Sequence, residues 1–281
     1  MQTPPSPSSP APPPLRVTIL GSGTSHGVPV IACSCPVCLS PDPRDKRTRS
    51  SIYVEDGAFS FLVDTTPELR LQCIANHVTR VSAVLFTHPH ADHIFGFDDL
   101  RVFCGQNEKE GVLEGGRLPV HGSALTLAML QNIYPYAFDP SAKPVGYVLV
   151  RAEPFDSQGS FPLGTLTVSP LEVTHGRMQT HGFLFERGGR KLLAYIPDCK
   201  TLSPRAAELL RDVETLIIDG LRDDPHPTHM TIQEALAASR AVGARRTLLT
   251  HLTHHKSHVE REAELPEGCS VAYDGLQLTL H

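Results

Sequence analysis

Short apolar runs of strand length recur along the chain and are separated by turn residues. Val81 to Phe86 is one such run, and Lys191 to Ile196 and Thr247 to Thr250 are others. Continuous apolar runs of this length between turn signals are typical of buried strands. Ser51–Val54 and Phe59–Val63 flank a glycine-containing turn, which predicts a β-hairpin. The pattern therefore predicts a strand-rich chain with a buried core.

Helix signals lie between the strand-like runs. Thr231 and Glu234 have the spacing of a capping box, which predicts a helix through Ala241. Pro67 is expected near the first position of a helix that begins within Asp64–Glu68. Strands and helices together indicate an α/β (α+β) chain. Further elements are predicted as helices over Asp98–Phe103, Ala124–Ile133 and Ser203–Leu210, an exposed loop over 105–117, a second antiparallel sheet region over Tyr147–Glu186 and a terminal hairpin over Val271–Leu280.

Composition limits the class of protein. Of the 281 residues, 40% are hydrophobic and 20% are charged, as in a soluble globular protein. We find no apolar run of the roughly 18 residues that a membrane span needs. Met1–Pro14 is rich in Pro and Ser and lacks the regions of a signal peptide. We expect a disordered tail over residues 1–14, one domain over residues 15–281, and a cytoplasmic location.

The net charge argues against a broad nucleic-acid-binding surface, and the glycine pattern argues against a dinucleotide-binding turn. The formal charge of −5 argues against a broad basic surface for nucleic acid. Arg44–Arg49 is interpreted as a solvated loop, with contact to an anion as the alternative. The glycine-rich turn Gly21–Gly27 is not a dinucleotide fingerprint, because His26 stands where the third Gly is required.

The densest chemistry lies directly after the run that ends at Phe86. His88, His90, Asp92 and His93 fall within six residues. Imidazole and carboxylate ligands together favour a borderline divalent metal such as zinc, manganese or iron. The close spacing predicts that two ions lie side by side, and a histidine-rich polar loop is the alternative.

Four residues cannot complete two coordination shells, so further ligands must come from elsewhere. His175, Asp198 and His251 each follow an apolar run that is predicted to be a strand. Each is a residue type that binds metals. Their recurrence at strand ends predicts that they join the first group.

The cysteines indicate a second metal site. The chain has seven cysteines, an odd number, and Cys33, Cys35 and Cys38 are crowded together. A disulfide framework is therefore not expected. Three thiolates favour a closed tetrahedral zinc site that needs a fourth ligand. His254, three residues after His251, is the preferred candidate, and His255 is the alternative.

The order of these residues resembles that of the metallo-β-lactamase superfamily over roughly residues 15–281. The resemblance implies a four-layer αββα sandwich with two divalent ions, zinc or manganese, in a cleft. It also implies that Asp198 bridges the ions. The implied ligands of one ion are His88, His90 and His175, and those of the other are Asp92, His93 and His251.

The cysteine cluster, with Gly27-Val28-Pro29 before it, resembles the phosphoribosyl cyclic phosphodiesterases of the carbon-phosphorus lyase pathway. That resemblance implies a structural zinc beside the dinuclear site and a small anionic cyclic phosphodiester as substrate. The candidate catalytic residues are Asp92, within the ligand set, and His229, as the group that contacts phosphate or protonates the leaving oxygen. His226 is the nearest alternative to His229, and His26, His181 and His258 are expected to be loop residues.

Other functions share the same ligands. A tRNA-processing nuclease of this fold would need a basic RNA-holding arm, which we do not find, so nucleic acid is not the expected partner. A biosynthetic accessory protein similar to the pyrroloquinoline quinone member, and a thioester or lactam hydrolase, stay open as alternatives. No membrane partner is expected, and a homodimer is compatible with the sequence. The role of Phe95, Phe97, Tyr134, Tyr136 and Phe138, as cleft lining or as core, is also left open.

Overall fold

Two β-sheets form the centre of the protein. The computed structural model describes residues 13–109, 113, 116–141 and 146–281. The predicted hairpin forms, since β2 (Ser51–Asp56) pairs antiparallel with β3 (Phe59–Val63). The run before the histidines contains β4 (Ala83–Leu85), a short buried strand parallel to β3. The first sheet is completed by β1 (Leu15–Gly21), β5 (Leu118–Gly122), β6 (Val150–Pro154) and β15 (Gln277–Leu280), in the order β15-β1-β2-β3-β4-β5-β6.

The second sheet follows later in the chain. Its long hairpin pairs β8 (Leu166–His175) with β9 (Met178–Arg187) in antiparallel register. The other strands are β7 (Phe161–Leu163), β10 (Arg190–Ile196), β11 (Thr201–Leu202), β12 (Thr215–Asp219), β13 (Arg246–Thr250) and β14 (Cys269–Val271), in the order β11-β8-β9-β10-β12-β13-β14 with β7 paired to β8.

Helices pack on the outer faces of both sheets. The capping box predicted at Thr231 and Glu234 is confirmed, and its helix ends at Gly243 with a positive φ of 69°. The helices are α1 (Pro36–Leu39), α2 (Leu69–Ala75), α3 (Ala91–Ile94), α4 (Arg101–Lys109), α5 (Ala124–Ile133), α6 (Pro204–Leu209), α7 (Ile232–Val242) and α8 (His258–Ala263).

Three apolar layers hold the sheets and helices together. Phe61 of the first sheet and Phe183 and Phe185 of the second lie in the layer between the sheets. One outer layer packs α2, α4 and α5 against the first sheet, and the other packs α6 and α7 against the second. This arrangement is the four-layer αββα sandwich, so the predicted fold is confirmed.

The aromatic residues that the sequence left undecided belong largely to the outer layer of the first sheet. Phe97 is fully buried, and its ring centroid lies 4.8 Å from that of Tyr134 and 6.0 Å from that of Phe138. Phe95 and Tyr136 are 56% and 41% exposed. Packing therefore accounts for the three stacked rings.

Two predicted sheet assignments are wrong. Tyr147–Glu186 is not one antiparallel region, because β6 pairs parallel with β5 in the first sheet. Val271–Leu280 is not a hairpin, since β14 pairs with β13 and β15 with β1. Between them, Asp274 accepts hydrogen bonds from Ser22 and Thr48 and holds the chain as it crosses from one sheet to the other.

Three local predictions also need correction. The first α2 residue is Leu69, with Glu68 as N-cap, so Pro67 precedes the helix. The loop expected over 105–117 begins instead as helix α4, which continues to Lys109, and residues 110–112, 114 and 115 lie outside the described part. Arg44–Arg49 is not wholly solvated, because Arg47 is buried and donates to Ser22 Oγ and to the Ala272 carbonyl. Of the tail predicted over residues 1–14, residues 1–12 lie outside the described part of the chain. Pro13 and Pro14 lie within it.

Candidate metal centre

Strand ends from both sheets bring the predicted ligands together. His88 lies just beyond β4, and α3 carries Asp92 and His93 one turn further on. His175 is the last residue of β8. Asp198 follows β10, and His251 follows β13 with a positive φ of 59°. Short apolar strands thus end at one edge of the sandwich, where their polar successors converge.

The Asp198 carboxylate lies between two groups of histidines. Its Oδ1 is 3.1 Å from His93 Nε2 and 3.4 Å from His251 Nε2. Its Oδ2 is 3.9 Å from His88 Nε2 and 3.6 Å from His175 Nε2. The two oxygens of one carboxylate therefore face two separate ligand groups, as a bridging ligand requires.

His90 and Asp92 complete the two groups. The ligand atoms of His88, His90 and His175 lie within 4.8 Å of one another, and so do those of Asp92, His93 and His251. His90 Nδ1 is 2.9 Å from His88 Nε2, and Asp92 Oδ2 is 3.3 Å from His93 Nε2. The structure thus brings together all seven side chains that the sequence singled out for the dinuclear site.

Unpaired buried atoms test whether this donor set fits divalent metals. Among the described residues, His93 Nε2, His251 Nε2 and Asp198 Oδ1 are buried without a hydrogen-bond partner. Buried polar atoms are nearly always paired, so unpaired nitrogen and oxygen atoms that converge need a common partner. Imidazole nitrogen and carboxylate oxygen are ligands of zinc and manganese. The residues therefore fit a pair of divalent ions.

Electrostatics favour the protonation states that metal ligands need at His88, His175 and Asp198, whereas the neighbouring carboxylates raise the pKa of His93 and of His251. Burial lowers the pKa of His88 well below its usual value and also lowers that of His175. Burial alone would raise the pKa of Asp198, but His251 and His93 hold it well below the usual range. Neutral imidazoles beside an ionised carboxylate are the forms that coordinate a cation.

Outer hydrogen bonds orient the ligand rings. The buried Asp64 carboxylate accepts from His93 Nδ1 at 2.8 Å and from the Thr87 N–H at 2.9 Å. His175 Nδ1 donates to the Thr228 carbonyl at 3.0 Å. Such contacts fix which ring nitrogen faces a metal. The Asp64 carboxylate therefore braces the loop that carries His93.

The cysteine cluster meets His254 rather than His255. The three sulfurs of Cys33, Cys35 and Cys38 lie 3.4, 3.3 and 3.4 Å from His254 Nδ1. One ring nitrogen can share at most one proton, so it cannot hydrogen-bond to three thiols at once. These distances are close to the separation of roughly 3.6 Å between a nitrogen ligand and a sulfur ligand of one tetrahedral zinc ion. His255 Nδ1 instead lies 2.6 Å from Thr253 Oγ1.

The environment of Cys35 favours the thiolate. The Cys38 backbone N–H and then His254 lower the pKa of Cys35 to about 6. A thiolate is the form that binds zinc. The cluster therefore fits a structural zinc, held between the N-terminus of α1 and the loop after β13.

His229 lies beside the dinuclear group. Its Nδ1 donates to Asp219 Oδ2 at 2.7 Å, and its Nε2 is 4.0 Å from Asp198 Oδ2. Burial, with His251 nearby, lowers the pKa of His229 to about 4, so the ring is neutral in the free protein. His226 is less buried, and its ring centroid is 5.0 Å from that of His229.

A cavity of about 440 Å³ opens above these residues. His229, Asp198 and Asp92 line it, together with Ser25 and Arg177 from outside the predicted set. The cavity can hold a small anionic molecule against both ligand groups.

Sequence reasoning missed several residues around the site. Asp219 ends β12, so the strand-end rule that found Asp198 could have found it as well. His181 is not a loop residue, since it lies fully buried in β9, and His258 is buried at the start of α8. Nothing in the sequence marked Arg177 or Ser25, because only the folded chain brings them to the cavity.

Comparison with known proteins agrees with this geometry. A sequence model of the beta-lactamase superfamily domain matches residues 60–252, and the chain belongs to the metallo-β-lactamase superfamily. Within that class it is similar to the crystal structure of a new diphosphatase from the PhnP family. The two share 33% identity and a TM-score of 0.85 over 95% of this chain and 97% of that chain.

Two relatives extend the comparison. An octanoyltransferase of Porphyromonas gingivalis is 34% identical over 94% of this chain, and the chain spans 51% of that protein's length. A coenzyme PQQ synthesis protein B of Methylobacterium radiotolerans is 28% identical over 95% of this chain and 100% of that protein. The family and the site together define a protein with the metallo-β-lactamase fold and a candidate dinuclear metal centre. Across the described residues, every helix is too short or too polar to cross a membrane.

Proposed function

We propose that the protein is a metal-dependent phosphodiesterase that opens small cyclic ribosyl or nucleoside phosphodiesters. The observation that carries this proposal is the Asp198 carboxylate, whose two oxygens face two ligand groups on the wall of a 440 Å³ cavity. Two divalent ions bound there would lower the pKa of a shared water and neutralise phosphoryl oxygens.

Protonation of the leaving oxygen is assigned to residues of the chain itself. Asp219 keeps the proton of His229 on Nδ1 in the free protein, and Nε2 faces the cavity. A phosphate anion close to the ring raises its pKa, because opposite charge favours the protonated form. The protonated Nε2 can then donate to the oxygen that leaves phosphorus, which assigns His229 the role of general acid.

A second candidate is hydrolysis of a diphosphate linkage. The similarity to a PhnP-family diphosphatase favours it. Diphosphate and phosphodiester substrates present the same anionic phosphoryl group to the two ligand groups. They differ in the leaving group, which is a phosphate in one case and an alkoxide in the other. The same side chains therefore serve both reactions.

The test is a substrate panel assayed with zinc-loaded and manganese-loaded protein. The panel contains adenosine 2′,3′-cyclic phosphate, bis-p-nitrophenyl phosphate, a dinucleoside diphosphate, a short RNA and an acyl thioester. We expect the highest kcat/KM on the cyclic phosphodiester. Preference for the diphosphate supports the second candidate, whereas turnover of the thioester alone, or of no substrate, contradicts both.

A further inference from the structure

The cysteine cluster combines sulfurs that solvent can reach with one that it cannot. Cys33 and Cys35 are partly exposed, whereas Cys38 is buried in a small apolar group with Val28 and Val37. The three sulfurs lie within 4.8 Å of one another. A thiol that solvent reaches therefore has two further thiols directly beside it.

The other four cysteines lack this combination. Cys73, Cys104 and Cys199 are buried, and Cys269 is partly exposed in β14, outside the cluster. Buried thiols in apolar surroundings are inert, because an oxidant in solvent does not reach them. All seven cysteines lie in the described part of the chain, so a disulfide within one chain is expected only at the cluster.

Cys35 and Cys38 have the spacing of a reversible dithiol. Pro36 and Val37 separate them, and Cys-x-x-Cys pairs of this kind carry out thiol–disulfide exchange. The Cys38 backbone N–H donates to Cys35 Sγ at 3.4 Å, a contact that stabilises negative charge on the partly exposed sulfur. Cys35 is therefore the sulfur that attacks an oxidant, and the buried Cys38 is the sulfur that closes the disulfide.

The cluster also fastens two segments that reach the cavity. His254 Nδ1 contacts all three sulfurs and lies three residues after His251. The segment before the cysteines contains Ser25, which lines the cavity. The Thr24 N–H donates to the Leu252 carbonyl at 3.1 Å and joins the same two segments without the cysteines. Opening the cluster should therefore loosen the rim of the cavity and leave His251 in place.

We propose that Cys35 and Cys38 are a peroxide-sensitive site at which a disulfide replaces the zinc that the cluster fits. The Cys35 thiolate attacks one oxygen of hydrogen peroxide, the O–O bond breaks, and a sulfenic acid forms. Cys38 then attacks the Cys35 sulfur, the S–O bond breaks, and the disulfide forms. In total two thiolates lose two electrons, and the peroxide takes two protons from solvent and becomes two waters.

The disulfide leaves Cys33 and His254 as the remaining donors of the cluster. A closed structural zinc site needs four ligands, so the oxidised cluster should no longer hold zinc. A dithiol reductant attacks the disulfide and restores both thiols. The site is thus a reversible switch on stability and on the rim of the cavity, and it does not depend on the proposed phosphodiesterase activity.

The test treats the zinc-loaded full chain with hydrogen peroxide and compares it with untreated protein. Metal content is measured by elemental analysis after gel filtration, disulfides are mapped by mass spectrometry after alkylation, and the Tm is measured on the same samples. We expect loss of about one zinc and formation of one Cys35–Cys38 disulfide per chain, with the metal of the dinuclear site retained. The Tm should fall by about 5 to 15 °C. Dithiothreitol with added zinc should reverse all three changes.

Two variants locate the chemistry. In Cys38→Ser the sulfenic acid of Cys35 loses its buried thiol partner, so dimedone should label Cys35 in this variant and not in the wild type. Cys269→Ser is the matched control, because it removes a partly exposed thiol outside the cluster, and it should respond to peroxide like the wild type. The wild-type measurements decide the proposal even if Cys38→Ser folds poorly.

Zinc that stays bound while Cys269 becomes oxidised would overturn the proposal, because peroxide would then have reached the protein without opening the cluster. A wild-type disulfide that includes Cys33 would also overturn it, as would loss of zinc without any disulfide. Retention of the dinuclear metal throughout separates this switch from general unfolding.

Discussion

His229 and its neighbours are the residues through which the chain itself can move a proton. The ring is oriented by Asp219, which is fully buried and also accepts from the Cys199 N–H. His229 Nε2 faces the cavity, but the ring is not among the seven side chains assigned to the two ligand groups. Loss of this ring should therefore affect chemistry more than metal binding.

The leaving group provides a sharp test of His229. His229→Ala should lower turnover of adenosine 2′,3′-cyclic phosphate by about 10² to 10⁴-fold, because a general acid contributes that much. Turnover of bis-p-nitrophenyl phosphate should fall far less, since p-nitrophenolate leaves without a proton. Steady-state rates on both substrates measure the difference.

His226→Ala is the matched control, because this neighbouring histidine is less buried and lies outside the cavity lining. Metal content of both variants is measured in parallel. Loss of an ion from His229→Ala would make His229 a ligand and would contradict the general-acid role.

A second buried histidine should make folding stability depend on pH. Burial lowers the pKa of His181 to about 4, below the usual value of 6.5. Between these values the unfolded chain binds a proton that the folded chain does not. The free energy of unfolding therefore rises with pH across this window. The stabilisation that His181 contributes is lost as the pH falls through the same window.

His181→Gln should remove this contribution while keeping a polar group near Ser157 Oγ, which lies 2.9 Å from His181 Nε2. Between pH 7 and pH 4.5 the free energy of unfolding of the wild type should fall by about 2 to 3 kcal/mol more than that of the variant. Urea unfolding of the metal-free proteins at both pH values measures the loss. His281→Gln, at the exposed C-terminus, serves as control, and an equal loss in wild type and His181→Gln would refute the assignment.

At the scale of elements, the cysteine cluster ties α1 to the loop after β13. Cys35 is the N-cap of α1, and His254 lies three residues beyond His251. A zinc held there would clamp the loop that presents one ligand of the dinuclear site. The cluster thus links a short N-terminal helix to the far end of the chain.

Cys35→Ser should remove about one zinc and leave the two ions of the dinuclear site in place. We expect the Tm to fall by about 5 to 15 °C, since loss of a few kcal/mol shifts a domain of this size by several degrees. Elemental analysis and thermal unfolding measure the two effects. Cys269→Ser, outside the cluster, is the control, and an unchanged zinc content in Cys35→Ser would exclude the site.

At the scale of the whole molecule, the candidate ligands come from both sheets. His88 and its neighbours follow β4 of the first sheet, whereas His175 ends a strand of the second sheet and Asp198 and His251 follow two others. Ions held between them would join the two halves of the sandwich. Metal binding should therefore stabilise the fold as a whole, because a ligand that binds only the native state shifts the folding equilibrium.

Removal of metal with a chelator should lower the Tm, and added zinc or manganese should restore it in a concentration-dependent way. An ion present at about a hundred times its Kd contributes about 2.7 kcal/mol. Thermal unfolding across a metal titration measures the effect. Asp198→Asn should show a much smaller response, and a full response in that variant would mean that the ions bind elsewhere.

Local patterns in the sequence were sufficient for much of the fold. The β2–β3 hairpin and the capped helix α7 depend on turn and cap residues next to one another in the chain. The strand-end positions of His175, Asp198 and His251 could also be read directly, since each apolar run is followed by its polar residue. The sequence did not show which sheet each strand joins, because the pattern of apolar and polar residues in β6 or β15 is the same whichever strand it pairs with.

The sequence by itself determined which residues could bind metal: a cluster at 88–93, three residues at strand ends and three cysteines. Only the tertiary structure decided how they are used. It turned the two oxygens of Asp198 towards different groups, placed His254 rather than His255 at the sulfurs, and buried Arg47. It also brought Arg177 to the cavity. The physical reason is that strand ends and caps depend on neighbours in the chain, whereas ligand orientation depends on contacts between residues far apart in sequence.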